Sequence, residues 1–222
     1  MILYFLFIAP AVLLGMWAQW RVHATYAAAS HQPAALTGAA AARRLLDSAG
    51  LQEVQIEPIR GQLTDHYDPR TRVLRLSEGV YDQRNLAAVG IAAHEAGHAI
   101  QHAKHYAPLA IRNLAVPAAN FGSGAGILMI IAGAILGLQP LLMLGIAAFG
   151  AVVFFQLVNL PVEFDASNRA KLQLVEYGIV SEAAMPSVRR VLNAAGWTYV
   201  AATLQSILTL LYYVWVFTGS RD

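Results

Sequence analysis

The residues best suited to chemistry in this chain are His94, Glu95 and His98, in the run His94-Glu95-Ala96-Gly97-His98. They lie in the alanine-rich stretch from Leu86 to His102, which has the composition of a helix. On a helix, residues four apart lie about 40° apart around the axis and one turn along it, so His94 and His98 point the same way. Two imidazoles on one face supply two of the ligands that a tetrahedral zinc needs. Glu95 is rotated by about 100° from His94, which sets its carboxylate beside such a metal, where it can take a proton from a bound water. The plainer alternative is a chance pattern on an alanine-rich helix. A five-residue motif leaves both open, and the elements around it must decide.

Those elements belong to a membrane chain. Of 222 residues, 57% are hydrophobic and only 13% charged, with a mean hydropathy of +0.49; a soluble domain carries about a quarter charged residues. A net charge of +2 is too small to point to nucleic acid. With no cysteine, any zinc has to be held by histidine and carboxylate.

Ile2 to Trp20 is uncharged and, at about 1.5 Å per residue, reaches roughly 28 Å, enough to cross a bilayer core. Trp17 and Trp20 fall at its end, and Arg21 stops it. A cleaved signal peptide is the competing reading, but no basic residue precedes the run, so it is expected to be a retained anchor. His23 to Pro33 reads as a connector. Thr37 can cap a helix from Gly38 to Ser48 with Gly50 as its stop. Val54 to Ile59 reads as a short strand, ended near Pro58. Gln62 to Tyr67 and Arg72 to Leu76 flank Asp68-Pro69-Arg70-Thr71 and predict a β-hairpin. Val73, Leu74 and Leu76 are its apolar packing, unless that strand is an exposed edge that pairs with an extended peptide. Asp82 or Asn85 can cap the motif helix, which should run to about Lys104. Ala92, Ala93, Ala96, Gly97 and Ala99 make its surface small, suited either to tight helix packing or to close approach of a substrate backbone.

From Leu114 the chain turns apolar again. A second span begins near Val116 or Ala118 and ends at Leu138, Gln139-Pro140 makes a break, and Leu141 to Leu160 forms a third. Gly122, Gly126, Gly133 and Gly137 suit close helix contact in this hairpin. Thr198 to Phe217 is a fourth. The expected class is a mainly α membrane protein with about four transmembrane helices and a small cytoplasmic α+β, zincin-like part made of a helix, a short β-hairpin and the HExxH helix. Its divisions are an anchor (1–20), a cytoplasmic segment with the motif (21–113), a transmembrane hairpin (114–160), a second cytoplasmic segment (161–197) and a last transmembrane helix (198–218).

Four spans set 21–113 and 161–197 on one side, so a third ligand must come from the second of these. No Asp or Glu occurs between Ala99 and Val162, and the first carboxylate afterwards is Glu163. It completes a two-histidine, one-glutamate set with a position left open for water. The alternative for Glu163 is an ordinary carboxylate in the first turn of a helix running through Val175, favoured by the helix dipole. His102 is two turns from His94, about 12 Å along the axis, too far to share a metal with it; it remains a candidate for a supporting role. Asp165 can accept a hydrogen bond from the distal nitrogen of a metal-bound histidine, or be solvated. Arg21, Lys104, Arg112, Arg169, Lys171, Arg189 and Arg190 lie near span ends on the motif side, against Arg221 on the other. The positive-inside rule then puts the motif on the cytoplasmic face and both termini outside.

At this point the residues resemble a known family. Asp68-Pro69 with Leu74-Arg75-Leu76-Ser77, then Ala92 to Gln101, then Leu160-Pro161-Val162-Glu163-Phe164-Asp165-Ala166-Ser167 are similar to the YugP-type neutral zinc metallopeptidases, bacterial membrane proteins, over nearly the whole chain. That family is distantly similar to the HtpX and CAAX prenyl protease group, in which HExxH and a later glutamate bind zinc. There the glutamate opens a Glu-aromatic-x-Ala-Asp motif; here Glu163-Phe164-x-Ala166 fits and Ser167 stands in place of the aspartate. The resemblance implies a zinc endopeptidase of the bacterial inner membrane, with zinc on His94, His98 and Glu163, Glu95 as base, and a peptide or membrane-protein substrate. His102, Arg169 and Asn113 are candidates for stabilising the oxyanion. Two other classes stay open: a zinc-binding membrane scaffold or chaperone adaptor without turnover, and a zinc hydrolase of a non-peptide amide.

Overall fold

The computed structural model describes residues 2–218; Arg221, used above to orient the chain, lies outside the described residues. In order, the elements are α1 (Ile2–Ser30), α2 (Gly38–Ser48), β1 (Gln55–Ile59), β2 (His66–Asp68), β3 (Val73–Ser77), α3 (Glu78–Tyr81), α4 (Leu86–Ala103), α5 (Ala107–Phe121), a π-helical segment (Gly122–Gly126), α6 (Ile127–Leu136), α7 (Gln139–Glu176) and α8 (Met185–Thr218). Among the described residues, four helical stretches are long and apolar enough to cross a membrane: Leu3–Ser30, Ala107–Leu136, Gln139–Glu176 and Met185–Phe217. The chain divides into two compact units. One holds residues 2–17, 107–161 and 197–218; the other holds Ala18–Tyr106 and Val162–Gly196.

In the first unit, α6 and α7 meet through glycine. A Cβ at Gly133 would lie 2.6 Å from the Leu142 backbone nitrogen, and one at Gly145 would lie 2.7 Å from the Gly126 oxygen. Gly122 and Gly126 likewise face the backbone of α7 around Ala148 and Gly145. Gly137 is different from the others in the expected row: it has φ +65 and caps α6 in the left-handed conformation, with open space where a side chain would go. Around these contacts pack Ile130, Leu142, Ile146, Phe149 and Val153. The sequence gives no warning of the π-helical turn, and the second apolar helix starts at Ala107, before the expected Val116 or Ala118. Pro117 lies within α5.

The second unit has a conventional core. The Thr37 side chain accepts from the Ala40 N–H and caps α2, as expected; Asn85, rather than Asp82, caps α4 by accepting from Ala88. The hairpin is shorter than predicted, because only His66–Asp68 pairs with β3. Its turn is tied by Asp68, which accepts from the Thr71 hydroxyl at 2.7 Å and the Arg70 N–H at 2.9 Å; these bonds hold the Asp68 carboxyl down at about 2. The first strand joins the same sheet, in the order β1-β3-β2, with β1 parallel to β3. Thus β3 is the central strand, Val73, Leu74 and Leu76 are buried, and the packing reading of that strand holds. Pro58 sits inside β1, which tolerates it as an edge strand. Leu45, Leu46, Leu74, Val80, Val89, Ile100, Leu174 and Val188 form the core.

Two boundaries are corrected. The expected connector His23 to Pro33 is largely helix, since α1 continues to Ser30; its alanines favour helix, and the Thr25 and Ser30 hydroxyls bond back to Arg21 and Tyr26 carbonyls. No new helix opens at Glu163, because α7 is continuous through Pro161. The first-turn explanation for Glu163 therefore falls: the residue sits mid-helix, away from any N-terminal dipole.

The helix contact at Gly133 makes a direct test. Gly133→Ala should destabilise the purified chain by about 1–3 kcal/mol. Gly150→Ala, where a Cβ meets nothing within 4 Å, should be neutral or stabilising by up to ~1 kcal/mol. Thermal midpoints in one detergent compare the two.

Candidate metal centre

The motif helix α4 is buried along most of its length, with Ala88, Ala92, Ala93, Ala96 and Ala99 all inside. The small surface serves packing. A Cβ at Gly97 would lie 2.8 Å from the Ala166 oxygen of α7, and one at Gly90 would lie 3.0 Å from a Val188 methyl of α8. Backbone against backbone at Gly97 brings the two helices close enough for short side chains to meet.

What meets there is the expected set. His94 Nε2 lies 3.2 Å and His98 Nε2 3.5 Å from the same Glu163 oxygen. One donor atom from each of the three residues falls within 4.8 Å of the others, a group that could hold a metal ion. Glu163 is only 4% exposed. It sits on the face of α7 that buries Val162, Ala166, Ser167, Ala170 and Leu174, a helical spacing that turns it inward. Burial opposes a positive charge on His98, but the Glu163 carboxylate outweighs it, helped by Glu95 and Gln101, and raises the imidazole's pKa above its ordinary value. Glu95 is itself buried, and its carboxylate is near enough to His98 to add to that pull.

The distal ring nitrogens are held by two residues that sequence reasoning did not place. His98 Nδ1 is 3.0 Å from Gln101 Oε1. The other end of that amide donates from Nε2 to the Val162 carbonyl and to Asp165 Oδ2, both at 2.8 Å. Two acceptors on the nitrogen side fix which end of the Gln101 amide is oxygen. His98 Nδ1 must then carry a proton, and Nε2 is the nitrogen that faces Glu163. His94 Nδ1 is 3.1 Å from Ser167 Oγ. The serine that breaks the Glu-aromatic-x-Ala-Asp pattern thus occupies a supporting position against an imidazole. Gln101 stands three residues after His98 and Ser167 four after Glu163, each one helical turn on, and Ser167 also falls at the aspartate position of the resembled motif.

Asp165 is corrected in detail: its recorded partners are Gln101 and Arg169, so it reaches His98 through the amide. His102 is bonded at Nδ1 to the Tyr67 hydroxyl at 2.9 Å and lies outside the three-residue metal group, as its distance along the helix required. Burial, with the charges of Arg72 and His105, lowers its pKa. Of the other oxyanion candidates, Arg169 pairs with Asp165 and stacks 5.7 Å from the Tyr106 ring, while Asn113, in the first unit, accepts from Arg112.

Comparison with known proteins agrees with a zinc-binding chain. The sequence of the family described as "Putative neutral zinc metallopeptidase" matches residues 4–218. The protein named "Putative membrane protease YugP" from Bacillus subtilis (strain 168) is 47% identical over 221 residues, covering 98% of this chain and 98% of its own length. No solved structure matches the chain. The cofactor of such a family is zinc, and two imidazoles with one buried carboxylate, in a chain without cysteine, fit that ion.

Gln101 offers the sharpest check on this support. Gln101→Leu should weaken zinc retention by about 10–100-fold, because His98 Nδ1–H loses its acceptor. Asp165→Asn leaves that bond in place and should cost less. A competitive chelator titration of the purified variants measures both.

Proposed function

The chain belongs to the neutral zinc metallopeptidase family, and from that premise we propose that it is an integral membrane endopeptidase hydrolysing peptide bonds in membrane or membrane-proximal proteins. The observation that carries this reading is the convergence of His94 and His98 from one helix and Glu163 from another on a common point. Glu95 stands next to it in the same buried helix. We assign His94, His98 and Glu163 as the ligands and Glu95 as the general base.

Bound there, zinc would supply a Lewis acid for the scissile carbonyl and lower the pKa of the attacking water. Glu95 takes the proton of that water and hands it to the departing amine, so one carboxylate serves as base and then as acid. Its burial keeps it out of competing solvation. Gln101 holds His98 in one tautomer and Ser167 helps to orient His94, so the site does not have to be assembled during the reaction. Substrate choice rests on place. Four helices suited to a bilayer and a similar protein named as a membrane protease support substrates met at a membrane. The arginine and lysine distribution supports a cytoplasmic active site with both termini outside.

The test separates this from zinc binding without turnover. Purified Glu95→Gln should keep its zinc and lose cleavage of an unfolded membrane-protein substrate by about 100-fold or more, whereas Glu163→Ala should lose the metal. Unchanged cleavage by Glu95→Gln would remove the proposed base. Full zinc stoichiometry in Glu163→Ala would remove the third ligand.

A further inference from the structure

A second polar feature lies on α7 and α8, and none of the three metal-group residues lines it. Asn168, Lys171, Leu172, Arg189 and Asn193 line an open cleft of about 450 Å³. Lys171 Nζ donates to Asn193 Oδ1 at 2.7 Å, linking the two helices, and approaches Asn168 Oδ1 at 3.5 Å. No carboxylate lines the cleft. Among the described residues, neither Lys171 nor Arg189 has a recorded ion pair. Two cations and two amides facing one space are the donors a phosphate needs.

The order of residues along the helices narrows the source of that phosphate. Outward from the apolar run of α7 come Phe164, Asn168 and Lys171. On α8, which leads into its own apolar stretch, the corresponding outward order is Asn193 and Arg189. Residues three or four apart share a helix face, so each helix presents an amide and then a cation beyond it, and α7 places an aromatic ring before them. Phe164 and Leu172 are exposed large apolar side chains. An aromatic at the hydrocarbon boundary with cations beyond it matches the layering of a phospholipid at an interface. Free phosphate would use the donors but leave the exposed apolar side chains unexplained.

We propose that this cleft binds the phosphate of an anionic phospholipid, with the cations and amides on the headgroup and the exposed apolar residues along its chains. The inference rests on the membrane placement of the chain and not on its hydrolytic chemistry, so it can fail without touching the protease reading. The probe is phosphatidylglycerol, with phosphatidylcholine as its zwitterionic counterpart. Full-length protein in detergent is offered each lipid, and retained lipid is counted by native mass spectrometry. Wild-type protein should retain phosphatidylglycerol over phosphatidylcholine. Lys171→Gln/Arg189→Gln should reduce that retention by about tenfold or more, Lys171→Arg should keep it, and the charge-matched Arg44→Gln/Arg60→Gln, away from the cleft, should leave it within about twofold. Equal retention of the two lipids by wild-type protein overturns the proposal without recourse to any variant. So does equal loss in the control pair. Displacement of phosphatidylglycerol by millimolar inorganic phosphate would identify a free-phosphate site and overturn the lipid assignment.

Discussion

A carboxylate buried as deeply as Glu163 is costly unless its charge is met by partners at short range. In this chain the partners are the two imidazoles of a neighbouring helix, within 3.2 and 3.5 Å. The rest of the second unit can be understood as the scaffold that makes this meeting possible. Asn85 starts α4 in the right register, the alanines let it sink into the core, and the sheet and α2 cover its other sides. The inward stripe of α7, from Val162 to Leu174, buries apolar residues on either side of the carboxylate. A metal ion would sit where the three donor atoms already converge.

Much of this was legible in the residues themselves. The motif states its two histidines and its base, and the absence of any acid between Ala99 and Val162 leaves Glu163 as the first carboxylate on the required side. Apolar run length located all four long helices. Less legible were features that depend on where one helix passes another. Ser167 reads as a missing aspartate until its hydroxyl is seen 3.1 Å from His94. Gln101 has no role to read in the sequence until its amide bridges His98 and Asp165. The helix expected to open at Glu163 is instead part of α7, which runs through Pro161.

The imidazoles are supported asymmetrically. His98 rests on a primary amide whose other end is anchored to a main-chain carbonyl and an ion-paired aspartate. His94 rests on a hydroxyl, which can rotate and either donate or accept. One ligand is fixed in its protonation pattern by a chain of bonds, and the other can follow changes at the centre. Both supports come from α7 or are anchored to it, so the helix that brings the carboxylate also orients its partners.

The close passage of α7 over Gly97 bears on how such motifs are recognised. The two positions between the glutamate and the second histidine are commonly treated as blanks. Here the second is occupied by the Ala166 carbonyl in the space a side chain would need, and the first is an alanine with no exposure at all. The five letters carry two messages: histidine, glutamate and histidine specify a reaction, while alanine and glycine specify which neighbouring backbone must lie against them. A search pattern that leaves the middle blank keeps the chemistry and discards the address of the third ligand.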